Sequence, residues 1–185
     1  MSTIKVNTIE NRTGSSITIG GSSTTSLNLA STITGGTLTN TPMFFGRKAS
    51  NQTITRATWT KLTGMTADEV DTDNAFDGTT FTVPSGKAGK YYITSGIDND
   101  FSGIGNDGFQ IIAKLYINNV ATYTNTQFRN NNNQIVRYPT VLSVYVDLSV
   151  GDTLEIYVYT ADSDGGNSTV NSNNTWFAGH KLIGA

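Results

Sequence analysis

The chain contains no cysteine, three prolines and a single histidine. Without cysteine there is no disulfide framework, no thiolate metal site and no thiol nucleophile. One imidazole, His180, cannot build a His₂ or His₃ metal cage within one chain; its place in an expected last strand makes it a plain strand residue. Charge is also scarce. Asp, Glu, Lys and Arg make up 14% of the 185 residues, against roughly a quarter in an average globular protein. That scarcity excludes a coiled coil or long-helix protein, which needs abundant Glu, Lys and Arg. Arg47-Lys48 is the longest basic cluster, and the formal net charge is −2. Both argue against nucleic acid as a partner, because a nucleic-acid binder carries a clustered basic face. No apolar run approaches the ~18 residues of a membrane span, so no membrane insertion is expected. The start, Met1-Ser2-Thr3-Ile4-Lys5, lacks the charged-then-apolar pattern of a secretory signal.

In place of charge the chain carries 30 Thr, 19 Asn, 19 Gly and 16 Ser. Apolar residues are 36% and aromatics 10%, enough for a core and unlike a disordered chain. Residues 1–42 stand apart. They contain no aromatic residue, and their apolar residues come as short alternating pairs: Ile4 with Val6, Ile17 with Ile19, Leu27 with Leu29. Alternation with Thr or Ser between is a strand signal. Each piece is too short to bury a face alone. The segment is therefore expected to be a β-structured arm, ordered by copies of itself or by a host structure; the alternative is a Ser/Thr/Gly linker.

Residues 43–185 have the texture of one all-β domain. Phe109–Ile117, Val141–Val150 and Leu154–Tyr159 alternate strictly with period two, which marks half-buried strands. Shorter strands are expected at Phe44–Ala49, Thr58–Leu62, Phe81–Val83, Tyr91–Ile97, Asn119–Thr126 and Trp176–Ile183. Asp77-Gly78, Pro84-Ser85-Gly86, Asp107-Gly108, Gly151-Asp152 and Asp164-Gly165-Gly166 supply turns, and Asn130–Asn133 a polar loop. Many short strands with no helical period predict a β-sandwich or barrel. Opposite the aliphatic faces of these strands sit Tyr116, Tyr145, Tyr157 and Tyr159. Tyrosine offers large apolar area with a hydroxyl that wants a partner and is enriched at interfaces. These four are expected to form a subunit interface.

Chemistry is hard to find. There is no Gly-x-Ser-x-Gly elbow. Carboxylate pairs for glycoside hydrolysis (Asp68 with Glu69, Asp71 with Asp73) fall in an acidic run, 68–73, that reads as a solvated loop. No enzymatic activity and no cofactor are expected. Asp98, Asp100 and Asp107, and Asp162 with Asp164, offer oxygen ligands that calcium accepts; the competing reading is turn-forming Asp.

Phe76-Asp77-Gly78-Thr79-Thr80-Phe81-Thr82-Val83-Pro84, followed by Gly89-Lys90-Tyr91-Tyr92-Ile93, resembles the globular head of complement component 1q and its tumour-necrosis-factor-like relatives. Met43–Leu62 looks like that family's opening strand, Asn-containing loop and second strand. Ala113–Asn119, Val150-Gly151-Asp152-Thr153-Leu154 and the closing Phe177-Ala178-Gly179-His180-Lys181-Leu182 agree in order and spacing. The resemblance covers residues 43–185 and implies a jelly-roll β-sandwich that forms a tight homotrimer. In place of the collagen stalk of vertebrate members, the arm, with its Thr-Ile-Lys-Val-Asn-Thr-Ile-Glu opening, is similar to stems and starts of bacteriophage virion proteins. The combination implies a homotrimeric virion structural protein, a tail fibre, knob or capsid decoration. Its arm is expected to bind other virion proteins, with Ile4, Val6, Ile17, Ile19, Leu27 and Leu29 as assembly residues. The alternative is an adhesion module whose loops, 98–108, 129–134 and 162–174, bind a host surface glycan or protein.

Overall fold

A computed structural model describes residues 40–101, 109–129, 137–162, 165–172 and 174–183, apart from the side chains of 67–69, 109, 128, 129 and 162. The assembly residues expected in the arm lie outside the described residues. Twelve strands run in chain order: β1 Met43–Lys48, β2 Gln52–Ile54, β3 Thr60–Lys61, β4 Met65–Asp71, β5 Thr80–Thr82, β6 Gly89–Asp100, β7 Phe109–Ile117, β8 Val120–Arg129, β9 Arg137–Leu148, β10 Thr153–Asp162, β11 Ser168–Val170 and β12 Trp176–Lys181. They form two antiparallel sheets. In the seven-stranded sheet the order is β4-β1-β12-β6-β9, with β11 paired to the last residues of β6 on the same edge as β12, and β2 paired to β11. The five-stranded sheet runs β8-β7-β10, with β3 and β5 side by side on the other edge of β10. The architecture is all-β, a jelly-roll type of sandwich. Among the described residues no helix is long and apolar enough to cross a membrane.

Alternation puts Phe44 and Gly46 of β1, Tyr91, Ile93 and Ile97 of β6, Leu142 and Val146 of β9, and Phe177 of β12 on the inner face of the larger sheet. Ile111, Ala113 and Leu115 of β7 and Leu154, Ile156 and Val158 of β10 meet them from the smaller sheet, all buried. Phe44 is the hub. Its ring stacks on Phe81 at 4.4 Å and on Phe76 at 5.1 Å, and meets Phe177 edge-on at 5.0 Å. These four rings come from both sheets and the β4–β5 connection, so one cluster ties the layers together.

Turns behave as their residues dictate. Asn118 and Asn119 both have positive φ (51° and 64°), as a two-residue hairpin between β7 and β8 requires. Gly151, at φ 85°, opens the β9–β10 connection. Asp152 closes it by accepting the Ser149 N–H at 2.7 Å and the Asn118 amide at 2.8 Å. Those bonds hold the Asp152 carboxyl below its ordinary range, the Asn118 amide contributing most.

The acidic run corrects one sequence reading. Residues 65–71 are strand, paired antiparallel with β1 across a bulge between Phe45 and Arg47. Polar composition hid this, because β4 is an edge strand held by backbone pairing. Asp71 then accepts the Ala75 and Phe76 N–H groups at 2.9 and 3.1 Å, turning the chain towards Asp73, which pairs with Lys87 at 3.5 Å. The short β2 and β11 were equally silent in the sequence. They pair with each other through Thr53 and Thr169 at the end of the sandwich.

Two outcomes follow. A Cβ on Gly179 would lie 2.6 Å from Ile93 Cδ1 and 2.9 Å from Phe44 Cε1, so Gly179→Ala should cost about 1–3 kcal/mol by overpacking, and Phe44→Ala about 3–5 kcal/mol by cavity formation. Denaturant midpoints would check both. Tyr91 is fully buried and donates to the Lys87 carbonyl at 2.6 Å. Burial first, then the Asp73 charge, pushes its phenol up to about 12. Because the folded value is raised, this group's contribution to stability is complete below about pH 10, the ordinary phenol value, and is lost as pH rises towards the folded value. Urea midpoints should therefore fall less steeply with alkaline pH in Tyr91→Phe than in the wild-type protein.

Candidate functional site

The larger sheet has an outer face that the register lays out row by row. One row runs Thr66, Arg47, Trp176, Gly96, Val141. The next runs Val70, Phe45, Ala178, Thr94, Ser143. The third runs Met43, His180, Tyr92, Tyr145. Directly opposite residues share a face, so these fourteen positions form one continuous surface across β4, β1, β12, β6 and β9. Its middle is apolar and aromatic. Phe45 stacks on Trp176 (6.1 Å, 16°), and Tyr92 contacts both Tyr145 (5.1 Å) and His180 (5.8 Å). Met43, Phe45, Val70, Tyr92, Ala178 and His180 line a shallow groove of about 310 Å³.

Small residues make this surface flat. A Cβ on Gly96 would sit 2.5 Å from Trp176 Nε1, so glycine there lets the indole lie across the sheet. Ala178 and Thr94 keep the middle row low. Charge stays at the rim: the guanidinium of Arg47 lies 5.8 Å from the Phe45 ring, and Lys90 pairs with Asp147 at 2.8 Å. Towards the other end, Asp98 accepts from Arg137 and, at 3.1 Å, from the Asn174 amide. Tyr145 is 69% exposed and Val141 50%. Isolated exposed apolar side chains are ordinary; a contiguous apolar patch marks an interaction surface.

The outer face of the smaller sheet differs. Lys61 and Glu155 pair at 2.5 Å, and the Thr80 hydroxyl donates to the same carboxylate at 3.1 Å. The rings of Tyr116 and Tyr157 lie 4.1 Å apart, tilted by 34°, and those of Trp59 and Tyr159 lie 5.2 Å apart, tilted by 40°. The Tyr157 phenol is raised, by burial first and then by the Glu155 charge.

The four tyrosines expected at one interface are therefore divided. Tyr145 lies on the outer face of the seven-stranded sheet, and Tyr116, Tyr157 and Tyr159 on that of the five-stranded sheet, facing the opposite way. Strand-by-strand alternation separates inner from outer residues; it carries no information on which sheet a strand joins. Sequence reasoning missed Met43, Phe45, Val70, Tyr92, Trp176 and Ala178. The signal was present as doublets: Phe44-Phe45, Tyr91-Tyr92 and Trp176-Phe177 put an aromatic side chain on both faces of three adjacent strands, the pattern of strands covered on both sides.

The other candidates carry less. Asp98 is engaged by Arg137 and Asn174, while Asp107 and Asp164 lie outside the described residues. No group of three or more His, Cys, Asp or Glu among the described residues is arranged to hold a metal ion. Loops 102–108 and 130–136 also lie outside the described residues.

No family model matches the chain, and no curated protein matches it significantly. Solved structures do match. The globular domain of zebrafish complement 1qA protein superposes with a TM-score of 0.50 at 14% identity, over 77% of this chain and 98% of that one. At that identity the likeness is one of fold: both are β-sandwiches of two antiparallel sheets.

Proposed function

We propose that this chain is a non-enzymatic, homotrimeric structural protein of a bacteriophage virion. In this reading residues 1–42 attach it to other virion proteins, and the β-sandwich of residues 43–185 projects outward as part of a fibre, knob or capsid decoration. The observation that carries self-association is the flat, charge-poor outer face of the seven-stranded sheet. Aromatic side chains bury 150–250 Å² each on average, at roughly 25 cal/mol per Å² of apolar area. Tyr145 is exposed and Phe45, Tyr92 and Trp176 are half-buried in the single chain, so covering the area they still expose favours association. A second and third copy are the simplest cover, and threefold assembly is what the complement-1q resemblance implies. The virion setting rests on the Ile/Thr-alternating arm alone. The scarcity of charge and the lack of cysteine suit a permanent assembly outside the cell.

Sedimentation equilibrium at micromolar concentration should give a trimer. Ala178→Arg, which sets a charge in the middle row, should give a folded monomer. A monomeric wild-type chain would remove the reading. Labelled antibody seen on intact particles would test the virion setting separately.

A further inference from the structure

The outer face of the five-stranded sheet holds a second constellation, independent of the apolar face. Lys61 on β3 and Lys114 on β7 both lie directly opposite Tyr157 on β10, while Thr80 and Tyr116 flank Glu155. Tyr157 and Tyr159 point the same way, two residues apart. The ring of Trp59, just before β3, lies 5.2 Å from that of Tyr159, tilted by 40°, and the Lys114 amine sits 4.2 Å from the Trp59 ring centre. The four aromatic side chains thus form a stripe across β3, β10 and β7. All four are partly exposed, as is Lys114.

The two amines differ. Lys61 is spoken for by the Glu155 carboxylate and the Thr80 hydroxyl. Lys114 has no carboxylate partner among the described residues and rests on the Trp59 ring. A cation over an indole is stabilised by the ring quadrupole, yet its hydrogen-bonding capacity remains unused, since an ammonium has three donors. Beside it lie the aromatic rings and, directly opposite it on β10 and β8, the hydroxyl-bearing Tyr157 and Thr124.

We infer that this stripe is a binding platform for an acidic sugar, seated on Trp59 and Tyr159 with its carboxylate at Lys114. A pyranose ring has an apolar C–H face that packs on an aromatic plane, and hydroxyls around its rim that need nearby donors and acceptors. A sugar carboxylate supplies the anion that the Lys114 amine lacks. Nucleic acid fits less well. Its binding draws on several neutralised phosphates, whereas among the described residues this face offers one unpaired amine beside a carboxylate, on a chain of net charge −2. A sheet platform of this kind needs none of the loops at the end of the sandwich.

The test uses the full chain, with 3′-sialyllactose and a glucuronate oligosaccharide as acidic probes and lactose as the neutral one. Titration calorimetry and tryptophan fluorescence at low salt should show acidic probes binding about ten-fold more tightly than lactose. Lys114→Gln should bring the acidic probes down to the level of lactose. Trp59→Ala should abolish binding of all three, with near-ultraviolet circular dichroism confirming that it folds. Ala178→Arg should bind as the wild type does, whether or not it is a trimer, so failure of the self-association reading and failure of this one are told apart. No binding of either acidic probe up to about 10 mM would overturn the inference. So would equal binding by the wild-type chain and Lys114→Gln, or a preference for a single-stranded oligonucleotide.

Discussion

The rest of the structure depends on a property of three neighbouring strands. β1, β12 and β6 carry large apolar or aromatic side chains on both of their faces: Phe44 against Phe45, Phe177 against Trp176, Tyr91 against Tyr92. A pleated strand sends successive side chains to opposite sides, so only one member of each pair can enter the core of a single sandwich. Phe44, Phe177 and Tyr91 do so and are fully buried. Their partners are left on a surface whose row neighbours, Arg47 beside Trp176 excepted, are small, apolar or aromatic. The interior requirement and the exterior surface come from the same short stretches of chain.

The two outer faces show how differently a sandwich can treat its surfaces. On the five-stranded sheet, aromatic rings pack against one another across strands and long polar side chains fold over them. The Lys61–Glu155 pair is the most buried ion pair among those described, with side-chain exposures of 29% and 9%. On the seven-stranded sheet Gly96, Ala178 and Thr94 keep the middle flat, and charges are confined to the rim. A flat apolar centre with a polar margin is the anatomy of protein interfaces. Packed rings beside an amine, a carboxylate and hydroxyls are suited to a small polar ligand with one apolar face.

One end of the core is polar. Asn99, Thr140, Thr160 and Ser168 point inward there and are fully or almost fully buried. Ser168 donates to Thr160 at 3.0 Å, while Asn99 Nδ2 and Thr140 Oγ1 have no partner among the described residues. Buried polar groups without partners are commonly met by internal water. This is also where β2 and β11 extend the larger sheet, each contributing one fully buried aliphatic side chain, Ile54 and Val170. At this end, hydrogen-bonded polar groups are thus interleaved with aliphatic packing.

Much of the fold was legible in the chain itself. The period-two runs of β7, β9 and β10 appeared because Ile111, Ala113 and Leu115, Leu142, Val146 and Leu148, and Leu154, Ile156 and Val158 all face the core. The motif order from Phe76 to Leu182 pointed to the complement-1q type of sandwich that the comparison of structures supports. β2, β4 and β11 were not legible, because short or edge strands are held by backbone pairing and leave no apolar alternation. The candidate interface was half legible. Aromatic doublets announced strands with two apolar faces, yet the four tyrosines chosen from alternation alone belong to opposite sides of the molecule. Composition and periodicity determined that this is an all-β chain with more aromatic surface than one core can hold. Only the tertiary structure decided which strands share a sheet, and so which aromatic residues lie side by side, because sheet membership is set by pairing between segments far apart in the chain and no local pattern encodes it.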